Sequence, residues 1–127
     1  MLRRGDSIPH FEARTLEGEM FRYSTIWQHK NLLLVTIPTL DSASTDAYAA
    51  EVTAGLREFD DQTLKCVITH DQVPGMSAPA VVVADRWGEV VFAAQKSHVA
   101  DLPAPQELRE WVNYLINQCP ECEGEAR

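Results

Sequence analysis

Asn31 to Pro38 reads Asn-Leu-Leu-Leu-Val-Thr-Ile-Pro, an almost unbroken apolar run that ends on a proline. A strand with one face in water alternates apolar and polar residues, because successive side chains point to opposite sides of the sheet. A run without that alternation predicts a strand covered on both faces, as in sheets layered between other elements. Few architectures remain open to a chain built around such a strand.

The segments on either side add the covering elements. Phe11 to Leu16 and Met20 to Tyr23 predict two short strands around Glu17-Gly18-Glu19, with Gly18 in a left-handed turn conformation. Ser24 caps a short helix that reaches Trp27. After the apolar run, Tyr48, Val52, Leu56 and Phe59 recur at helical spacing and predict a helix from about Ser44 to Asp60. Leu64 to His70 returns to strand. The loop from His70 to Ala78 holds Pro74 and Gly75, and two further strands, Ala80 to Ala84 and Glu89 to Ala94, flank Asp85-Arg86-Trp87-Gly88 as a hairpin closed at Gly88. Pro105 opens a last helix, on which Leu108, Trp111, Val112, Leu115 and Cys119 share one face before Pro120 stops it.

Composition narrows the function. At 127 residues and 45% hydrophobic content the chain suits one domain with a sizeable core. A formal charge of -8 argues against nucleic acid, whose phosphates need clustered Lys and Arg. Arg3 and Arg4 have no apolar run behind them, so no secretory signal is expected, and no stretch approaches the roughly 20 apolar residues of a membrane span. Three cysteines make a poor disulfide framework, which favours a reducing compartment, by default the cytoplasm.

Cys119-Pro120-Glu121-Cys122 is the motif with the most chemical content, and three readings of it stand open. In the first, Cys119 completes the last helix's buried stripe and Cys122 is an incidental thiol. In the second, the two form a reversible disulfide, although Glu121, Glu123 and Glu125 should raise their pKa values. In the third, they are half of a tetrahedral zinc site whose other ligands come from a second chain. Cys66, between Leu64 and Ile68 on one strand face, is expected in the core. His10, His29, His70 and His98 lack metal-motif spacing. Of these only His70 should emerge at a functional edge of the sheet. Trp27, Trp87 and Trp111 are too dispersed for a stacking platform.

The order strand, strand, short helix, buried strand, helix, strand, loop, hairpin, helix resembles the thioredoxin fold: a central mixed β-sheet flanked by helices. Gly5-Asp6-Ser7-Ile8-Pro9-His10-Phe11 resembles the G-D-x-x-P-x-F opening of peroxiredoxins, and Leu16-Glu17-Gly18 continues it. Ala78-Pro79 is similar to the superfamily's cis-proline, Asp85 to Val90 to the hairpin after it, and Cys-Pro-Glu-Cys to the ending of some bacterial redoxin-domain proteins. The resemblance implies an active site after the buried strand, where peroxiredoxins carry P-x-x-x-[Thr or Ser]-x-x-Cys. Here the stretch is Pro38-Thr39-Leu40-Asp41-Ser42-Ala43-Ser44-Thr45: Pro38 and the hydroxyl of Ser42 match, and Thr45 stands at the nucleophile's position. A threonine hydroxyl hardly ionises near neutral pH and cannot follow the thiolate-to-sulfenate path. No cysteine precedes Cys66, so no shift of alignment restores one.

A second departure is the loop between Cys66 and Pro79, too short for the helix the fold usually places there. The helix before the cis-proline strand is expected to be shortened or missing, which would leave one sheet face open to a second copy or another protein. The expectation is therefore a thioredoxin-like domain over 1–118 and a CxxC tail over 119–127. Its degenerate site would be Pro38, Ser42, Thr45 and Pro79, and its chemistry, if any, Cys119 and Cys122. Such a chain would be a binding or redox-accessory module, with a thiol-disulfide oxidoreductase as the alternative. It would have no resident cofactor unless zinc, no nucleic-acid or membrane partner, and a protein partner or second subunit as in a homodimer.

Overall fold

This computed structural model describes residues 1–39, 42–59 and 63–117. Its strands are β1 (Glu12–Arg14), β2 (Met20–Arg22), β3 (Asn31–Thr36), β4 (Leu64–Thr69), β5 (Ala80–Ala84) and β6 (Val90–Gln95). Its helices are α1 (Ser42–Gly55) and α2 (Pro105–Ile116), with single 3-10 turns at Tyr23–Thr25 and Val99–Asp101. β1 and β2 form a small antiparallel hairpin. The other four strands make a mixed sheet in the order β4-β3-β5-β6, parallel between β3 and β4 and antiparallel elsewhere.

β3 is central and covered on both sides: Leu32, Leu33, Leu34 and Val35 are wholly buried. Its odd residues face a helix layer. There Leu33, Val35 and Ile37 meet Tyr48 and Val52 of α1, Leu56 in the turn just beyond it, and Leu108, Val112 and Leu115 of α2. The helix periodicity anticipated this stripe, but α1 stops at Gly55, before Asp60. A Cβ at Gly55 would lie 3.0 Å from the Cβ of Pro105, so close packing against the start of α2 uses a residue that weakens helix. Phe59 still packs against the core from the turn beyond. Pro105 takes the first position of α2, and Ala104 before it is extended (φ -65°, ψ 152°), as a pre-proline residue should be.

The even residues of β3 face the other layer, and here the expectation of an open face is corrected. Leu32, Leu34, Val67 and Val82 are covered by Phe11, Phe21 and Tyr23 of the hairpin region and by Val73 and Met76 of the loop between β4 and β5. Phe11 stacks on Tyr23 at 5.7 Å and 9° and tilts against Phe21 at 5.7 Å. No helix intervenes between β4 and β5; aromatic side chains from the first 23 residues supply the apolar area that such a helix would. The loop is fastened from the same side, since Leu2 N-H donates to Gly75 O (2.7 Å) and Gln72 Nε2 to Met76 O (3.0 Å).

The β5-β6 turn is closed by Asp85, whose buried Oδ1 accepts from the N-H groups of Trp87 (2.9 Å) and Glu89 (3.0 Å). Gly88 has φ +87°, and a Cβ there would meet the Tyr23 hydroxyl at 2.9 Å. The turn therefore needs glycine twice over, for its backbone and for the ring beneath it. Gly18 also takes the positive φ expected of it, in open space. No helix among the described residues is long and apolar enough to cross a membrane.

Candidate functional site

Register brings the predicted site residues to one end of the sheet. Thr36, the last residue of β3, pairs with Thr69 on one side and with Ala80 on the other. Pro38 follows two residues later, Pro79 immediately precedes Ala80, and the Ala78-Pro79 peptide is cis. β3 exits here toward α1, β4 ends here at Thr69 and β5 begins here. Ser42 is the first residue of α1 and Thr45 the fourth.

Thr45 is 1% exposed, and its hydroxyl turns back to donate to Pro38 O at 3.4 Å, a long and weak bond. The helix start thus presents a buried, neutral hydroxyl engaged with the carbonyl of the preceding loop. His70 stands at the same edge, as its position after β4 implied. Its Nδ1 lies 3.0 Å from Ile37 O. A carbonyl oxygen only accepts, so Nδ1 is the donor in this contact. Ile37 N-H in turn donates to Thr69 O (3.0 Å), which ties the β3 exit to the end of β4.

Two polar groups here escaped the sequence reading. Thr36 Oγ1 is buried and has no hydrogen-bond partner among the described residues, on the sheet face opposite α1. Thr69 Oγ1, beside it, donates to Arg14 O (2.7 Å) and accepts from Asp71 N-H (2.9 Å), so the end of β4 is built of satisfied bonds. A threonine near a strand end gives no sequence signal for which of these states it will occupy.

The remaining candidates lie elsewhere. Cys66 packs half-buried against the helix-side core, and burial pushes its thiol up to about 12. It is a core residue and a poor nucleophile, as its strand alternation implied. His10 is exposed and rests against the rings of Tyr23 (5.4 Å) and Trp27 (5.1 Å). Trp27 Nε1 donates to Trp87 O (3.3 Å), while Trp111 stacks on Phe92 at 5.3 Å on the far edge, so the three indoles form no common platform. Cys119, Pro120 and Cys122 lie outside the described residues. Among the described residues no cluster of three His, Cys, Asp or Glu side chains could hold a metal ion.

No protein-family profile matches the sequence, and no curated protein matches it. Solved structures do. A thiol peroxidase from Chromobacterium violaceum superposes with a TM-score of 0.67 at 15% identity, over 94% of this chain and 90% of that one. A peroxiredoxin-like protein from Aquifex aeolicus gives 0.64 at 13%, over 90% and 88%. A thiol:disulfide interchange protein of the thioredoxin family from Chlorobium tepidum TLS gives 0.61 at 11%, over 92% and 100%. Likeness at such identities is of fold, and the fold is thioredoxin-like.

Proposed function

We propose that this chain is a binding or redox-accessory module on a peroxiredoxin-related scaffold, without peroxidatic chemistry at the proline edge. The observation that carries the reading is Thr45: a hydroxyl, 1% exposed and donating to Pro38 O, stands where the resemblance puts a thiolate. Peroxide reduction by the thiol route requires a sulfur that attacks the O-O bond, keeps one oxygen as sulfenic acid and releases water or alcohol. An alcohol oxygen has no such oxidation state to occupy. Pro38, Ser42, Thr45 and Pro79 are in this reading the remains of a redox site, and the domain over 1–118 acts by what it binds in a reducing compartment.

Hydrogen peroxide consumption by the full chain with dithiothreitol or a thioredoxin system tests this directly. The expected rate equals that of buffer with reductant alone. Turnover that disappears in Cys119→Ser or Cys122→Ser would transfer the function to the tail dithiol over 119–127 and make the chain a thiol-disulfide oxidoreductase. The same outcome is reached if either tail thiol ionises below about pH 8 and the pair closes under mild oxidant. Zinc at about half an equivalent per chain in protein purified without chelator would instead mark a four-thiolate site shared between two subunits.

A further inference from the structure

β4 is an edge strand, and its outer side is only half covered. Asn31 N-H donates to Thr63 O and Ile37 N-H to Thr69 O, so in this parallel pair residues 63, 65, 67 and 69 turn their main chain toward β3. Residues 64, 66 and 68 turn theirs outward. Ile68 O is taken by Leu16 N-H (3.1 Å), and Thr15 bridges to Thr69. Below that point the outward N-H and C=O groups of Leu64 and Cys66 have no main-chain partner among the described residues.

The two faces beside this open edge differ in their balance of charge. On the helix side, where Leu64, Cys66 and Ile68 point, lies a groove of about 620 Å³ in which Leu16, Ala49, Leu56, Phe59, Cys66 and Ile68 are joined by one acidic and one basic side chain, Glu17 and Arg57. Leu16 is 38% exposed on its rim. On the hairpin side, where Lys65 points, lies a cleft of about 610 Å³ that gathers Arg22, Lys30 and Lys65 around Met20, with Glu19 as its acidic group. Two of the chain's three lysines are thus placed on one cleft of a molecule whose formal charge is -8. Neither has an ion pair among the described residues; Arg22 meets Glu12 at 3.4 Å.

A single lysine on an edge strand is a common guard against unwanted pairing. A guard requires neither Lys30 and Arg22 beside it nor a largely apolar groove without net charge on the opposite face. Free main-chain groups between a largely apolar face without net charge and a cationic face are what an added strand of alternating character would match. We propose that the outer edge of β4 receives an extended segment of a partner protein in which apolar residues alternate with Asp or Glu. Its main chain bonds to Leu64 and Cys66, its apolar side chains enter the groove over Cys66, and its carboxylates face Lys65 and Lys30. This assignment is independent of whether Thr45 has lost a thiol's role.

Fluorescence anisotropy on the full chain tests it with a dye-labelled alternating Val-Glu heptapeptide. Three controls accompany it: the Val-Lys counterpart, a peptide of the same composition in two blocks, and two versions N-methylated on alternate amides. The alternating acidic peptide should bind, the Val-Lys and block peptides should not, and one N-methylated version should lose binding while the other keeps it. Lys65→Glu and Lys30→Glu should each weaken binding about tenfold, the effect of reversing one charge at a contact, with unchanged thermal unfolding. Equal binding of the block peptide, or indifference to N-methylation in both versions, overturns the proposal on the native chain alone. Tighter binding of a peptide copying residues 118–127 would also overturn it, by making the occupant the acidic end of this protein.

Discussion

Replacing Gly88 with alanine should be among the most costly single-methyl additions to this fold, and two separable causes contribute. At φ +87° an L-residue pays about 1–2 kcal/mol for the left-handed conformation. The new Cβ would also sit 2.9 Å from the hydroxyl of Tyr23, a ring 1% exposed and stacked on Phe11, and overpacking of that kind costs about 1–3 kcal/mol. The sum is about 3 kcal/mol, near 1.5 M in urea midpoint if the slope is about 2 kcal/mol/M. Gly18→Ala is the control. Its φ is +93° with nothing within 4 Å of the added methyl, so only the backbone cost remains, about 1 kcal/mol after the stiffer unfolded chain is allowed for. Tyr23→Phe completes the cycle. The Tyr23 hydroxyl is buried with no hydrogen-bond partner among the described residues, and its removal should be neutral or stabilising by about 1 kcal/mol. In the Tyr23→Phe background Gly88→Ala should cost about 1–2 kcal/mol less, a coupling that urea unfolding followed by tryptophan fluorescence resolves. A Gly88→Ala cost no larger than that of Gly18→Ala, or a coupling below about 0.5 kcal/mol, would refute the contact on which this rests.

Leu33→Ala, at a wholly buried position of the central strand, should destabilise by about 2–5 kcal/mol in the same assay. Burial holds Tyr23 and Cys66 up at about 12, so their neutral forms favour the folded state. That contribution is fully present below their unfolded values of 10.0 and 9.0 and is lost as pH rises toward 12, so the unfolding midpoint should fall steadily above about pH 9. Cys66 should react with a thiol reagent far more slowly in the native chain at pH 8 than in urea, and equal rates would contradict its burial. Glu58→Gln should cost less than about 1 kcal/mol, because the ion pair it forms with Arg109 is largely solvated on the carboxylate side.

What could be read in advance was whatever carries a period or a special backbone. β3 and β5 were legible because Leu32 to Val35 and Ala80 to Ala84 have no polar alternation. Pro79, Gly18 and Gly88 marked their turns by conformations few other residues adopt. The spacing predicts too long an α1 because Phe59 continues the stripe of Tyr48, Val52 and Leu56 in sequence, while the helix ends at Gly55, where the chain packs closely on Pro105. The covering of the second face was invisible for a related reason. Val73 and Met76 sit in an aperiodic loop, and Phe11, Phe21 and Tyr23 looked like ordinary strand residues until the hairpin's position over the sheet was known. The site's four landmarks, Pro38, Ser42, Thr45 and Pro79, follow from order along the chain. The Thr45 bond to Pro38 and the unpartnered Thr36 hydroxyl depend on side-chain rotation and could not have been foreseen.

The hairpin that stands in for a helix gives the two halves of the interior different histories. The helix-side core is assembled from residues 33 to 115, whereas most of the opposite core's outer wall belongs to residues 8 to 26, joined to the rest through the short segment before β3. Such a wall is pinned to the sheet by its own main chain, with Ile8 N-H on Gly88 O, Leu16 N-H on Ile68 O and Gln28 N-H on Arg86 O. Leu2 and the Val73 to Met76 loop are latched to each other through Gly75, so the chain's first residues also support the loop that leads to Pro79. The proline edge therefore leans on the chain's opening residues, although none of the first 23 contributes a landmark to it.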